Sequence, residues 1–130
     1  MKFAKYVFLI GGIYGLFATV PLYFMEGKIA IDSPPAINHP EYFYSFAGVT
    51  AVWQILFLFI SRDPVRYRPL MIPCVLEKTP ILIALCILGP QGRFPQLWYS
   101  FNIIDLSIGA LFLVAYFTTK EQPAAGQRIQ

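Results

Sequence analysis

Four long runs of apolar residues, separated by short polar segments, dominate the pattern of this sequence. The runs cover residues 6–25, 42–60, 69–88 and 97–117. Because an α-helix rises about 1.5 Å per residue, each run is long enough to cross a hydrocarbon layer of roughly 30 Å. Transmembrane strands would be about half as long and would alternate apolar and polar positions. The pattern predicts an all-α domain over residues 1–119, a four-helix transmembrane bundle running up-down-up-down, with a polar tail at 120–130.

The composition supports the same class of protein. Apolar residues make up 57% of the 130-residue chain, and charged residues make up 13%, about half the share typical of soluble domains. That charge is too sparse to cover the surface of a small soluble fold. Disorder is excluded because disordered chains are poor in aromatic residues, which here reach 17%. The first run lacks a small-x-small cleavage site near Met25, so we expect a retained helix and not a signal peptide.

Lysine and arginine residues are divided unevenly between the two ends of the predicted bundle. Seven lie at the N-terminus, in the second connection and in the tail, whereas two lie in the other two connections. Because cytoplasmic segments are enriched in these residues, both termini are predicted to lie in the cytoplasm, with the chain crossing the inner (plasma) membrane. The net charge of +3 then reflects orientation in a lipid bilayer and indicates no binding of nucleic acid.

Several polar side chains lie at similar depths within the predicted helices. Glu77 and Lys78 are near the middle of the third run, between Pro73 and Pro80, whose missing N–H donors predict a break in that helix. A charged residue at mid-bilayer costs about 2.5–3.5 kcal/mol on insertion scales, so such residues face the bundle interior. Depth matching predicts one internal cluster, with Lys78 as the counter-ion: Tyr14, Thr50, Gln54, Glu77, Asn102 and Asp105.

Two interpretations of this cluster remain open. In the first, the cluster is structural: Lys78 pairs with Asp105 or Glu77, and the amides bridge neighbouring helices. In the second, the cluster binds a lipophilic small molecule within the bilayer, or serves an intramembrane isomerase or a proton-coupled transporter as an acid–base site. The fifteen-residue connection 26–40 would then cover the outer mouth of the bundle, because loops of that length are often functional.

A pair of glycines supports a further alternative. Gly11 and Gly15 lie about one helical turn apart, a spacing that lets another helix approach closely. The chain would then be a non-catalytic scaffold that forms a homo-oligomer or joins a larger membrane complex. Cys74 and Cys86 lie about 18 Å apart along one predicted helix and cannot form a disulfide with each other. With His39 as the only histidine, we expect no metal site and no cofactor.

Short motifs in the second and third runs resemble known membrane proteins. They are Tyr42-Phe-Tyr-Ser-Phe, Val52-Trp-Gln-Ile-Leu-Phe, Arg68-Pro and Glu77-Lys-Thr-Pro. This stretch resembles small bacterial four-helix membrane proteins and, more distantly, the EXPERA group, which includes the emopamil-binding sterol isomerases; DoxX-like proteins share the four-helix plan. The EXPERA resemblance implies a membrane pocket whose acidic residues bind amine-containing or sterol-like ligands. Gln54 matches the glutamine of that group, but Thr50 stands where an acid is expected and the third run lacks the histidine, which counts against isomerase activity.

Overall fold

The structure, a computed structural model, describes residues 2–121 and 123. Within these residues it contains α-helices and short 3-10 segments, and no strand. The α-helices are α1 (Lys2–Thr19), α2 (Glu26–Asp32), α3 (Pro40–Arg62), α4 (Met71–Leu76), α5 (Thr79–Leu88) and α6 (Tyr99–Thr118). The 3-10 segments are Val20–Phe24, Arg68–Leu70 and Gln96–Trp98.

Four stretches of this helical chain are long and apolar enough to cross a membrane. In chain order we call them the first to fourth spans: Lys2–Phe24, Pro40–Arg62, Arg68–Leu88 and Tyr99–Thr118. The prediction of an all-α fold with four membrane-spanning helices is therefore confirmed, and the chain is an integral, multi-pass membrane protein. The predicted tail at 120–130 lies largely outside the described residues.

The spans pack in the order second, first, fourth and third, because α1 packs along both α3 and α6, while α4 packs mainly on α6. Glycines allow these close approaches. A Cβ atom at Gly11 would lie 3.0 Å from the ring of Phe112 in α6, and one at Gly15 would overlap the side chain of Gln54 in α3. Gly11 and Gly15 therefore bring helices of this chain together. The hypothesis that they bind a second chain gains no support, because both are buried under helices of the same chain.

The half of the bundle near both chain termini contains a closely packed aromatic core. Its centre is a phenylalanine cluster of Phe8, Phe57 and Phe112, all of them fully buried. The rings of Phe8 and Phe112 are stacked with centroids 4.1 Å apart, and Phe57 meets Phe112 edge-on at 4.7 Å. Ile60 and Met71 are fully buried in the same core. At this level the four-helix bundle is filled by side chains.

The two ends of the bundle differ in charge. Antiparallel packing brings the N-terminus, the α3–α4 connection and the end of α6 together at what we call the basic end. Its described residues include six lysines or arginines and two acids: Lys2, Lys5, Arg62, Arg66, Arg68, Lys120, Asp63 and Glu121. The opposite end, which we call the α2 end, contains two basic and three acidic residues: Lys28, Arg93, Glu26, Asp32 and Glu41.

The third span is interrupted where its prolines predicted a break. Helix α4 ends at Leu76 and α5 begins at Thr79, so Glu77 and Lys78 lie in a turn between them. Pro80 has no N–H to donate to the carbonyl oxygen of Leu76. The hydroxyl of Thr79 donates a hydrogen bond of 2.7 Å to that oxygen instead. The break therefore leaves the freed carbonyl with a partner at membrane depth, as the absence of water in a bilayer requires.

The connection 26–40 differs from the loop that the sequence predicts, because its first half forms α2. This short helix lies against the ends of the spans: Ile29 is 8% exposed and packs with Leu22 and Ala47. The hydroxyl of Tyr44 in α3 donates a 2.7 Å hydrogen bond to the Glu26 carboxylate and fixes the start of α2. These contacts with the spans stabilise a helix of seven residues that would be marginal alone.

Candidate functional site

A cavity of about 380 Å³ lies in the half of the bundle nearer α2, between α2 and the first, second and fourth spans. Five of the seven residues predicted to form a polar cluster line it: Tyr14, Thr50, Gln54, Asn102 and Asp105. The remaining wall is mostly apolar, and its large side chains include Phe17, Leu22, Phe46, Trp98 and Phe101. The cavity is therefore an apolar chamber with a small number of polar groups, which is the usual composition of a small-molecule site.

The polar side chains that line the cavity differ in whether they form hydrogen bonds within the chain. The hydroxyl oxygen of Tyr14 is buried and has no partner within the described part of the chain. Gln54, only 2% exposed, uses its amide nitrogen to donate to the carbonyl oxygen of Thr50 at 3.1 Å. Asn102 donates in the same way to the carbonyl oxygen of Trp98 at 2.7 Å. A buried polar group without a partner costs free energy, and within the described chain the Tyr14 hydroxyl carries that cost.

Beside the cavity, Lys78 joins two acids in what we call the ion triad. Its Nζ atom lies 2.8 Å from Oδ1 of Asp105 and 3.0 Å from Oε2 of Glu77. Lys78 is 5% exposed, and its Nζ also lies 5.1 Å from the ring centroid of Phe57. Gly109 makes room for the lysine, since a Cβ atom there would approach Cγ of Lys78 to 2.9 Å. Lys78 thus pairs with both acids that the structural interpretation offered as alternatives.

Two residues of the predicted cluster do not line the cavity. Glu77 and Lys78 are outside its wall, and Asp105 alone belongs to both the cavity and the ion triad. That Glu77 and Lys78 contact a ligand stays a prediction, and in the structure they lie outside the cavity wall. Similar depth in the membrane placed them in the cluster, but no residue of the third span lines the cavity, and depth alone carries no information on which spans meet there.

Several lining residues were missed by the sequence interpretation. Phe17 lies three residues after Tyr14, Phe46 lies four residues before Thr50, and Phe101 lies four residues before Asp105. Helical neighbours at such spacings share one face, so the polar positions could have identified these aromatics. Lys28 and Asp32 of α2 also line the cavity at its outer rim, where no periodic signal marks them.

The cavity is closed toward one end of the bundle and borders exposed residues at the other end and at its side. Toward the basic end the phenylalanine cluster closes the bundle. At the α2 end the cavity reaches the exposed residues Lys28 and Asp32. Among its apolar lining residues, Phe17 is 79% exposed and Phe46 is 60% exposed, so part of the wall also forms the outer surface of the spans. A lipophilic molecule can reach such a wall from the bilayer.

The donor groups of a metal site are not assembled in the part of the chain that the structure describes. No group of three or more His, Cys, Asp or Glu side chains there could hold a metal ion. His39 pairs with Glu41 at 3.1 Å on the exposed α2 end, while Cys74 is buried and Cys86 is exposed.

Comparison with family models, curated proteins and solved structures found no match to this chain. The functional argument that follows is built on the geometry of the cavity and the ion triad.

Proposed function

We propose that this protein binds a lipophilic small molecule in the cavity, with the polar group of that molecule directed toward Tyr14, Gln54 and Asp105. The observation that carries the proposal is the cavity itself, about 380 Å³ in volume and lined by five of the predicted polar residues within a mostly apolar wall. That volume falls in the range of roughly 300–1,000 Å³ found for small-molecule sites.

The chemistry of the cavity favours an amphiphilic ligand with a long apolar part. Aromatic side chains such as Trp98 and Phe101 offer contact area to an apolar body. The carboxylate of Asp105, whose side chain is 31% exposed, offers a hydrogen bond to a polar group. The EXPERA resemblance implies a ligand of the same broad class. Glu77 and Lys78 act through Asp105, because they hold its carboxylate in place without lining the cavity.

The proposal includes the orientation of the protein in an inner (plasma) membrane. Six of the described lysines and arginines lie at the basic end and two at the α2 end. Under the positive-inside rule the basic end lies in the cytoplasm, so the cavity belongs to the outer half of the membrane. Ligand then enters from the outer leaflet or from the external side, past α2.

The alternative functions drawn from the sequence, an isomerase, a transporter or a scaffold, would each use a different part of this structure. A proton-transferring isomerase or transporter would use Asp105, the carboxylate that lines the cavity. A transporter would also need the phenylalanine cluster to separate, because that cluster closes the path to the basic end. A scaffold would have to use a surface other than Gly11 and Gly15, which are buried within the chain.

The test is to identify small molecules that remain bound to the purified protein. Organic extracts of the wild-type protein and of variants, prepared in the same detergent, are compared by mass spectrometry. Ala18→Phe fills the cavity that Ala18 lines, whereas Ala110→Phe adds the same side chain to an exposed position of α6. We expect a compound that is retained by the wild type and by Ala110→Phe, is lost from Ala18→Phe, and is reduced at least five-fold in Asp105→Asn.

The same comparison of extracts can also contradict the proposal. If every lipophilic compound in the extract is equally abundant in Ala18→Phe and Ala110→Phe, the cavity holds no ligand and the ion triad is purely structural. Both variants must elute as folded protein in gel filtration for the comparison to count.

A further inference from the structure

A second cleft lies at the basic end, far from the candidate site. It has a volume of about 310 Å³ and is lined by Val65, Arg66, Arg68, Pro69 and Glu121. We call it the arginine cleft. Two arginines and one glutamate therefore line the same small space at the end of the bundle where lysine and arginine are concentrated.

Arg68 is held rigidly in this cleft. Its Nε atom donates a hydrogen bond of 3.1 Å to the carbonyl oxygen of Tyr116, and its guanidinium carbon lies 4.1 Å from the centroid of the Tyr116 ring. The side chain is only 16% exposed. Since its Nε donor is already used by the backbone, the remaining donors of the planar guanidinium are presented in a fixed direction. Such a group is suited to bidentate binding of a phosphate.

The acid in the cleft is a weak competitor for Arg68. Nη1 of Arg68 lies 3.2 Å from Oε1 of Glu121, but the Glu121 side chain is 82% exposed. Exposed ion pairs contribute little, because water screens them and because a long side chain must be ordered to form them. Glu121 can therefore turn into solvent when a stronger anion arrives. Arg66, which is exposed and lies with its guanidinium 5.5 Å from the Tyr67 ring centroid, adds a second charge to the cleft.

The position of the cleft in the molecule indicates the source of the anion. Arg68 is the first residue of the third span, so the cleft lies where that span leaves the hydrocarbon. Tyr67 and Tyr116 are the amphipathic aromatic side chains expected at this boundary. Leu70, three residues after Tyr67, is 39% exposed, and Phe117, directly after Tyr116, is 73% exposed. Both present apolar surface. A ligand bound here meets cationic groups at its head and apolar side chains along its body.

We propose that the arginine cleft binds the phosphate group of an anionic phospholipid, with the phosphate on Arg66 and Arg68 and the acyl chains against the neighbouring spans. Binding displaces Glu121 from Arg68 and ties the α3–α4 connection to the end of α6. Free inorganic phosphate offers the same charge but no apolar body, so the surroundings of the cleft favour the lipid. This site is independent of the function proposed for the cavity.

The test measures how lipids stabilise the purified full-length protein in detergent. Thermal unfolding is followed by circular dichroism during titration with dioleoylphosphatidylglycerol, dioleoylphosphatidylcholine or inorganic phosphate. We expect phosphatidylglycerol to stabilise the protein at concentrations at least five-fold lower than those at which phosphatidylcholine or inorganic phosphate has the same effect. Arg68→Gln and Arg66→Gln should each weaken the apparent affinity about five-fold, which is the effect of one basic residue at a lipid surface. Glu121→Gln should tighten it about two-fold.

Arg62→Gln is the matched control, because it removes the same charge from the same end of the bundle but does not line the cleft. We expect it to change the apparent affinity less than two-fold. Because Arg68 also packs on Tyr116, the exposed Arg66 provides a measurement that does not depend on core packing. Equal losses in Arg62→Gln and Arg66→Gln would show diffuse attraction and overturn the proposal. Equal stabilisation by the two lipids, or by phosphate and phosphatidylglycerol, would overturn it as well.

Discussion

Replacement of Lys78 by methionine tests the ion triad directly. Methionine keeps an unbranched side chain that can pack against Gly109 and Phe57, but it removes the charge that pairs with Glu77 and Asp105. The variant therefore leaves two acids near each other within the bundle with no cation between them. The expected result is a loss of stability that depends on the presence of those acids.

The magnitude follows from the burial of the three groups. Removing one partner of a buried ion pair typically costs about 3–5 kcal/mol, whereas polar contacts between transmembrane helices average about 0.6 kcal/mol. Lys78 is almost fully buried, but the Asp105 side chain is 31% exposed where it borders the cavity, so part of its solvation is retained. We therefore expect Lys78→Met to lower the free energy of unfolding by about 2–3 kcal/mol at neutral pH.

Removal of all three charges separates this explanation from lost packing. The combined variant Glu77→Gln, Lys78→Met and Asp105→Asn removes all three charges and should be more stable than Lys78→Met alone, because replacement of a whole buried ion cluster is often neutral.

The assay is unfolding by sodium dodecyl sulfate in mixed micelles at neutral pH, followed by circular dichroism. Lys28→Met, a substitution at an exposed lysine of α2, is the control and should lie within about 0.5 kcal/mol of the wild type. A deficit in Lys78→Met that persists unchanged in the triple variant would refute the electrostatic reasoning.

Three further predictions concern packing and the cover of the cavity. Gly15→Ala should cost about 1–3 kcal/mol of stability in the same assay, because its methyl group overlaps the glutamine that it faces, whereas Gly27→Ala meets no atom and should be neutral. Phe112→Ala should cost about 3–5 kcal/mol because its ring is fully buried, whereas Phe117→Ala, at a position 73% exposed, should cost far less. Tyr44→Phe removes the hydrogen bond to α2 and should speed amide hydrogen exchange in that helix several-fold without changing exchange in the spans.

The sequence predicts the class of fold well because the bilayer imposes a simple rule. Apolar runs of about twenty residues can satisfy their backbone in lipid only as helices, so the four runs are enough to predict the four spans. The break at Glu77 and Lys78 is also predicted from nearby sequence, because a proline there cannot donate a backbone hydrogen bond. These features depend on neighbours in sequence and require no knowledge of tertiary packing.

The candidate site is predictable only in part, because depth along a helix can be counted from the sequence while the choice of spans that meet at the cavity cannot. Depth brings Tyr14, Gln54 and Asp105 to one level, and the structure places all three on the cavity. The same reasoning adds Glu77 and Lys78, which face Asp105 from behind. Hydrophobic periodicity does not predict the short helix α2, because seven residues are too few to show a helical pattern. The stability of α2 depends on its contacts with the spans.

The closely packed rings of Phe8, Phe57 and Phe112 affect how a transmembrane voltage is distributed across the bundle. A layer of close-packed hydrocarbon excludes water and ions, so most of a transmembrane voltage falls across it, at about 2.3 kcal/mol per elementary charge per 100 mV. Lys78 lies on the edge of that layer, 5.1 Å from the ring of Phe57. Under the proposed function, a charged ligand that reaches Asp105 from the α2 end does not pass this layer, so we expect its occupancy to respond little to the membrane voltage.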